Sequence, residues 1–174
     1  MLHERVTRGS QRSVRAATHG DLPAIRLIYN QGIEDRIATL DTEPKGDSDI
    51  LAWFNDHDER YKVLVAEDGN DILGWASLNR YSHRCAYNAV ADLSVYVLRD
   101  KRRTGVGSML MREIEEAAKG SGFHKIVLFA FPTNEAGRQL YVKSGFTDVG
   151  VFREQGVLDG KYVDVIAMEK ILAE

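Results

Sequence analysis

The stretch that most constrains this chain runs from Val90 to Lys119, VADLSVYVLRDKRRTGVGSMLMREIEEAAK, and predicts a strand, a turn and a helix. Its first part is rich in β-branched and aromatic residues that alternate with others, as in strands. A basic run over 99–103 follows, then Gly105 and Gly107, and after them apolar residues recur at helical spacing as far as Gly120. A helix N-terminus collects unpaired N–H groups, and glycine lets a ligand approach them closely. This turn therefore predicts an anion site whose natural occupant is a phosphate or pyrophosphate.

Two glycines also fit a tight strand-to-helix turn without a ligand, so they do not decide the question alone. The adjacent Arg102 and Arg103 favour a phosphate, because guanidinium groups pair with phosphate oxygens. A Walker loop fits poorly, because its last glycine must be followed by Lys and then by Ser or Thr. Here Val106 follows Gly105, and Ser108 follows Gly107. A dinucleotide fingerprint also fits poorly, because Leu110 stands where the third glycine belongs. The site therefore suits a cofactor whose phosphates bind to the protein but take no part in the reaction.

Residues 102–107, RRTGVG, resemble the Arg/Gln-x-x-Gly-x-Gly signature of the GCN5-related N-acetyltransferases (GNAT), which cradles the pyrophosphate of acetyl-CoA. The resemblance covers residues 13–172 and is closest to the phosphinothricin and arsinothricin N-acetyltransferase branch. It implies an α/β protein with the GNAT fold: a mixed, mostly antiparallel central sheet with helices on both faces and two splayed central strands. The similar segments are, in chain order, 24–30, 33–39, 74–77, 94–97, 144–146 and 159–169.

The length of 174 residues indicates one domain, expected over 13–172 after a polar, flexible leader at 1–12. The net charge of −3 gives no general reason to expect nucleic acid or an acidic membrane as a partner. No apolar run is long enough for a membrane helix. The single cysteine, Cys85, excludes an internal disulfide and a cysteine zinc cluster, and no metal site is expected. We expect a cytoplasmic protein that forms a homodimer.

The periodicity along the chain predicts the order β-α-α-β-β-β-α-β-α-β-β in one mixed sheet. Residues 125–131, KIVLFAF, form an almost continuous apolar run that predicts a strand buried on both faces. Asn134 is expected to cap the next helix. A final antiparallel pair is predicted over 146–153 and 162–171, joined across 156–161.

Acetylation of an amine requires a base, because the amine is an ammonium at neutral pH. Asp92 is the candidate, at the position where the phosphinothricin branch carries a glutamate, and its shorter side chain favours a bridging water. Tyr141 stands where many GNAT enzymes place a tyrosine that protonates the leaving thiolate, and an N–H near Val95 is the expected oxyanion donor. Each side chain also has a plain alternative: Asp92 as a solvated edge carboxylate, and Tyr141 as a half-buried residue that packs beside Leu140.

Contacts with acetyl-CoA are expected from the end of the central strand, the glycine turn and the cap of the later helix. The expected residues are Val95, Val97, Arg102, Arg103, Thr104, Gly105, Val106, Gly107, Ser108 and Asn134.

The irregular segment 79–89, NRYSHRCAYNA, predicts a wall of the substrate site, although its composition fits a solvated connection as well. Arg84 corresponds to an arginine found in several members of the phosphinothricin branch, and it is expected to hold an anionic end of the substrate. Arg36 is the second candidate anchor, and Tyr29 and Tyr87 are candidates for hydroxyl contacts.

The resemblance implies acetylation of the α-amino group of a small amino acid such as phosphinothricin, arsinothricin or methionine sulfoximine, which would detoxify it. Two alternatives stay open. One is acetylation of a protein N-terminus or a polyamine, and the other is a non-catalytic acyl-CoA sensor.

Overall fold

The computed structural model describes residues 11–172, so most of the expected leader lies outside the described residues. Within these residues, seven strands and four α-helices follow the predicted order. The strands are β1 (Arg12–Ala16), β2 (Val63–Asp68), β3 (Asp71–Arg80), β4 (Val90–Val97), β5 (Lys125–Ala130), β6 (Thr147–Leu158) and β7 (Lys161–Ile171). The helices are α1 (Leu22–Asp35), α2 (Asp47–Asn55), α3 (Val106–Gly120) and α4 (Glu135–Lys143).

One mixed sheet holds the strands in the order β1-β2-β3-β4-β5-β7-β6, and every neighbouring pair except β4–β5 is antiparallel. Helix α3 covers one face and buries its apolar stripe, including Leu110 and Ile114, against the larger core. Helices α1 and α2 cover the opposite face of β2–β4, where Ile25, Ile28 and Trp75 form a smaller core. Because side chains alternate along a strand, Ser77 and Asn79 share the α1/α2 face with Trp75.

The two central strands diverge, as the resemblance implied. β4 and β5 pair in parallel only from Val90↔Lys125 to Asp92↔Val127. Leu98 N donates to Leu73 O, so these two residues form a hydrogen-bonded pair of the β3–β4 ladder. Such pairs occur at every second residue of an antiparallel ladder, so Tyr96 and Ser94 also bond to β3. By that alternation, the N–H of Val95 points away from β3 and into the gap beside β5.

The expectation that β5 is buried on both faces is wrong. Its residues alternate between buried and less buried positions, and Phe129 is 46 % exposed. The reason is that α1 and α2 pack over β2–β4 and not over the β5–β7–β6 half of the sheet.

The predicted boundaries of the last strand pair are also wrong. β6 and β7 extend to a two-residue turn at Asp159 and Gly160, whose φ angles of 50° and 75° are typical of an Asp-Gly hairpin. Gly156 does not belong to the connection. It lies inside β6, where the register shifts between Phe152 and Gly156.

Candidate active site

The glycine turn and the gap between the central strands line one cavity of about 610 Å³, the cofactor cavity. Gly105 precedes α3 with a φ of 89°, a left-handed conformation that favours glycine, and a Cβ there would have no neighbour within 4 Å. The first bond of α3 runs from Met109 N to Gly105 O, so Gly107 and Ser108, which line the cavity, have N–H groups without a partner inside the helix, at the positive end of its dipole. The predicted residues that line this cavity are Val95, Val97, Arg102, Arg103, Gly105, Gly107, Ser108, Asn134 and Tyr141.

Two predicted cofactor residues do not bring their side chains to the cavity. Val106 is buried in the core beneath α3, and the Thr104 hydroxyl donates to the Lys101 carbonyl oxygen at 2.6 Å. Arg102 does line the cavity, but its Nη1 is 2.6 Å from a carboxylate oxygen of Asp35 at the end of α1. Within residues 11–172 the exposed Arg103 makes no ion pair, so its guanidinium is available to a phosphate.

Gly107 has a packing role that the sequence did not reveal. A Cβ at this position would lie 2.8 Å from Leu140 Cδ2, so the absent side chain lets α4 approach α3. Asn134 caps α4 as predicted, because its Oδ1 accepts a hydrogen bond from Gly137 N at 3.0 Å. The helix N–H groups, an exposed guanidinium and a narrow gap between strands together fit a pyrophosphate with an extended arm.

Polar side chains face each other across β3 and β4 on the α1/α2 face. Ser77 is paired with Ser94, and Asn79 is paired with Asp92. Asn79 Nδ2 donates to Asp92 Oδ2 at 3.3 Å and to Ser94 Oγ at 3.0 Å. Burial raises the pKa of Asp92 to about 6, and the bond from Asn79 opposes that rise. A carboxyl group with a pKa close to neutral is well suited to accept a proton.

Asp92 opens onto a second cavity, of about 590 Å³, which we call the Asp92 cavity. Two of the candidate substrate residues, Arg84 and Tyr87, line it, and the Tyr87 ring packs edge to face on Tyr81 at a centroid distance of 5.5 Å. Arg80 at the end of β3 lines it too, and sequence reasoning missed this residue although it lies in the segment proposed as a wall. The cavity thus combines one carboxyl with two guanidinium groups.

Tyr29 lines a third cavity, of about 850 Å³, the aromatic cavity. Its hydroxyl donates to Asp41, and burial raises its pKa to about 12. This cavity shares Arg80 with the Asp92 cavity and Tyr96 with the cofactor cavity. Its other aromatic residues are Trp53, Tyr61 and Trp75.

Arg36 lies outside the lining of these three cavities. Its guanidinium donates to the carbonyl oxygens of Ile33 and Thr42 and to the Asp159 carboxylate at 3.0–3.1 Å. It therefore ties the α1–α2 loop to the β6–β7 turn, and this structural role accounts for its charge.

Tyr141 is half-buried on α4 and packs against the core, with its ring centroid 6.3 Å from Phe146. Burial raises its pKa to about 12, so it is protonated at neutral pH. Its hydroxyl makes no hydrogen bond with the part of the chain that the structure describes. Tyr141 thus lines the cofactor cavity and also packs against the core, so its packing does not exclude a role at the cofactor.

His57 is a site residue that sequence reasoning missed. It follows α2 and lines the aromatic cavity, and its Nε2 lies 3.0 Å from Asn79 Oδ1. No spacing in the sequence links these two residues, because only the packing of α2 on β3 brings them together.

Among residues 11–172, no group of three or more His, Cys, Asp and Glu side chains could hold a metal ion. None of the described helices is long and apolar enough to span a membrane.

Comparison with known proteins identifies the family. The model of the acetyltransferase (GNAT) family matches residues 25–146. A phosphinothricin N-acetyltransferase of Streptomyces coelicolor is 31% identical over 91% of this chain and 95% of its own length. An L-methionine sulfoximine/L-methionine sulfone acetyltransferase of Pseudomonas aeruginosa is 30% identical over 90% of this chain and 92% of its own length.

A solved ribosomal-protein-alanine N-acetyltransferase of Brucella melitensis has the same architecture, with a TM-score of 0.89 and 29% identity over 92% of this chain and 99% of that one. The family match spans most of the chain and includes the glycine turn, the splayed strands and Tyr141. The chain therefore belongs to the GNAT acetyltransferase family and is an acetyl-CoA-dependent N-acetyltransferase.

Proposed function

We propose that this enzyme acetylates the α-amino group of a small amino acid whose side chain ends in a tetrahedral, oxygen-bearing group. One observation carries the proposal: a single cavity joins the half-buried Asp92 carboxyl to the guanidinium groups of Arg80 and Arg84. Such a substrate presents two oxygen-bearing ends around one amine, and two guanidinium groups, which can donate to both, match them in number. Relatives named for phosphinothricin and for methionine sulfoximine support this substrate class.

In this proposal Asp92 removes the proton from the substrate ammonium group. With a pKa near 6, the carboxyl is mostly ionised at pH 7 and is still basic enough to accept a proton efficiently. Because aspartate is one methylene shorter than glutamate, a water bridging Asp92 and the amine fits this role. The Asn79 amide orients the accepting oxygen atom.

The cofactor cavity would hold acetyl-CoA, which supplies the acetyl thioester. The N-terminus of α3 and Arg103 would hold its phosphates in the cofactor cavity. The N–H of Val95 points into the gap and would donate to the carbonyl oxygen as negative charge develops there. Tyr141, protonated at neutral pH, would give its proton to the leaving thiolate.

The test is a panel of amines in an assay for CoA release at saturating acetyl-CoA. We expect phosphinothricin, arsinothricin and methionine sulfoximine to exceed leucine, lysine, a polyamine and a peptide with an N-terminal alanine in kcat/KM. Equal turnover of leucine would indicate a general amino-acid acetyltransferase, and preference for the peptide or polyamine would replace the proposed substrate. Binding of acetyl-CoA without turnover of any amine would indicate a sensor.

A variant pair separates the two candidate anchors. Arg84→Ala is expected to raise KM for phosphinothricin about tenfold or more with KM for acetyl-CoA unchanged, since it removes a bidentate charged contact. Arg36→Ala is expected to lower thermal stability instead, because its guanidinium bonds belong to the fold. An unchanged KM in Arg84→Ala would contradict the anchoring role.

We further propose that the enzyme is a cytoplasmic homodimer. The reducing cytoplasm suits the exposed thiol of Cys85. The half of the sheet that α1 and α2 leave uncovered presents Phe129 and Phe152, with ring centroids 6.4 Å apart. Phe129 also lines the Asp92 cavity, so a second copy on this face would close the mouth of the substrate site.

Light scattering on Phe152→Glu tests the dimer, because a charge in an apolar interface should produce monomers. Leu27→Glu is the matched control, since Leu27 is an equally exposed apolar side chain on α1. A wild-type monomer, or a dimer that Phe152→Glu leaves intact, would contradict the proposed interface.

A further inference from the structure

We propose that His57 is a positioning residue for the Asp92 carboxyl and acts through the side-chain amide of Asn79. The proposal rests on the role proposed above for Asp92 as the base. His57 follows α2, Asn79 lies on β3 and Asp92 lies on β4. The three side chains form a continuous chain of polar contacts from the aromatic cavity to the Asp92 cavity.

The geometry of this chain is specific. His57 Nε2 lies 3.0 Å from Asn79 Oδ1, and Asn79 Nδ2 lies 3.3 Å from Asp92 Oδ2. On its other side, His57 Nδ1 lies 2.8 Å from the carbonyl oxygen of Trp53. The imidazole also packs on the Trp53 ring at a centroid distance of 4.7 Å, which fixes its orientation.

Donor and acceptor counting shows what this arrangement requires. A carbonyl oxygen only accepts, so Nδ1 of His57 must carry a proton. Nε2 faces Asn79 Oδ1, which also only accepts, so this second bond forms only when both ring nitrogens are protonated. A His57 with both nitrogens protonated therefore holds the amide with Oδ1 toward the imidazole and Nδ2 toward Asp92. The Ser77 hydroxyl supports this orientation, because it also donates to Oδ1, at 3.0 Å.

A neutral His57 favours the opposite orientation of the same amide. The amide would then turn end for end, donate Nδ2 to His57 Nε2 and place Oδ1 against Asp92. In that orientation only a protonated Asp92 can make a hydrogen bond to the amide. A proton on His57 Nε2 thus adds to the Ser77 hydroxyl in selecting the amide orientation that stabilises ionised Asp92.

This coupling has a direction that can be measured. Burial raises the pKa of Asp92, and the hydrogen bond from Asn79 lowers it. If the amide is no longer held in place, the pKa of Asp92 should rise further. The acid limb of the kcat/KM profile should then move to higher pH. The other titratable and charged groups that line the two cavities are the same in every variant compared. They are Tyr29, Asp41, Lys45, Asp49, Asp56, Tyr61, Arg80, Tyr81, His83, Arg84, Tyr87 and Tyr96.

Two amide substitutions divide the two contacts of His57. In His57→Gln, the amide nitrogen can take the place of Nε2 and donate to Asn79. In His57→Asn, the shorter amide can replace only Nδ1 and bond the Trp53 carbonyl. We expect His57→Gln to keep kcat within about threefold of wild type and to leave the acid limb in place, since the donor to Asn79 is kept. We expect His57→Asn to lower kcat about tenfold and to move the acid limb upward by about 0.5–1 pH unit, with KM for acetyl-CoA unchanged.

His19→Asn is the matched control. His19 also packs on an aromatic residue of α2, Phe54, and contacts an asparagine amide, Asn55 Oδ1 at 3.3 Å, but it lines neither cavity. Its pH profile should be that of wild type. In an Asn79→Ala background, His57→Asn should cost less than about twofold, because the intermediate group is gone.

The outcomes separate this proposal from the one on which it rests. If Asp92→Asn is as active as wild type, Asp92 is not the base, and both proposals are wrong. If Asp92→Asn is inactive but His57→Asn leaves the acid limb in place, Asp92 remains the base and the role of His57 is refuted. If His57→Asn is normal and His57→Gln is the damaged variant, His57 serves only to close the end of α2.

Discussion

Replacing Asp92 with asparagine should make the protein more stable and nearly inactive at once. The side chain keeps its size and its hydrogen bond to Asn79 but loses its charge. In the folded chain burial raises the pKa of Asp92 to about 6, from 3.8 for an ordinary aspartate. The buried charge therefore costs folding free energy, and asparagine avoids that cost. If Asp92 is the base, kcat should fall about 10²–10⁴-fold.

The size and pH dependence of the stability gain follow from the two pKa values. Well below pH 4 the carboxyl is protonated in both the folded and the unfolded chain, so its charge costs nothing. As the pH rises from about 4 to 6, the unfolded chain ionises first and the folded state loses relative stability. Above pH 6 the cost is constant, and a difference of about two pKa units corresponds to about 3 kcal/mol. Because Asp92 keeps some exposure, we expect a gain of about 1–3 kcal/mol at pH 7.5 that falls below about 1 kcal/mol at pH 4.5.

Urea denaturation of wild type and Asp92→Asn at both pH values measures this difference. For a chain of this length, the gain at pH 7.5 corresponds to a rise in Tm of about 2–12 °C. Asp71→Asn, at an exposed position of the β2–β3 hairpin, should change stability by less than about 0.5 kcal/mol at either pH. An Asp92→Asn protein that is no more stable than wild type at pH 7.5, or whose gain is the same at both pH values, would refute the reasoning.

Three further variants test the cofactor side. Arg103→Glu should raise KM for acetyl-CoA about tenfold or more, because it places a negative charge beside the phosphates, whereas Arg112→Glu at an exposed position on α3 should not. Tyr141→Phe should lower kcat about tenfold and Tm by less than about 2 °C, and a proportionate loss of both would make Tyr141 a packing residue. Gly107→Val should weaken acetyl-CoA binding in calorimetry by about tenfold and also lower Tm, since a Cβ would lie 2.8 Å from Leu140 Cδ2. Unchanged affinity in a folded Gly107→Val protein would contradict the position of the cofactor.

The sequence was most informative where one local pattern determines the structure. The change from alternating to helical periodicity around Gly105 located the strand, the turn and the helix that follow one another at the cofactor cavity. Asn134 was recognisable as a helix cap because capping depends on a single side chain and the next turn. The divergence of β4 and β5 after Asp92 came from the family resemblance, because periodicity carries no information about which strands pair.

The remainder depended on contacts between distant parts of the chain. Asn79 faces Asp92 because of the β3–β4 register, and His57 reaches them because α2 ends above that register. Arg36 looked like a substrate anchor in the sequence, but its partners include Asp159, which is more than a hundred residues away. Phe129 belongs to a run that is apolar throughout, so its exposure could be known only from where the helices pack.

The parting of β4 and β5 should also leave a distinct signature in hydrogen–deuterium exchange. Along β4, the amides of Ser94 and Tyr96 point toward β3, whereas those of Val95 and Val97 point into the gap. In the enzyme without cofactor, exchange should therefore be slow and fast at alternate residues of one strand, although all of them lie in the middle of the sheet. Added acetyl-CoA should slow Val95 and Val97 selectively, so that the strand becomes uniformly protected only when the enzyme is loaded.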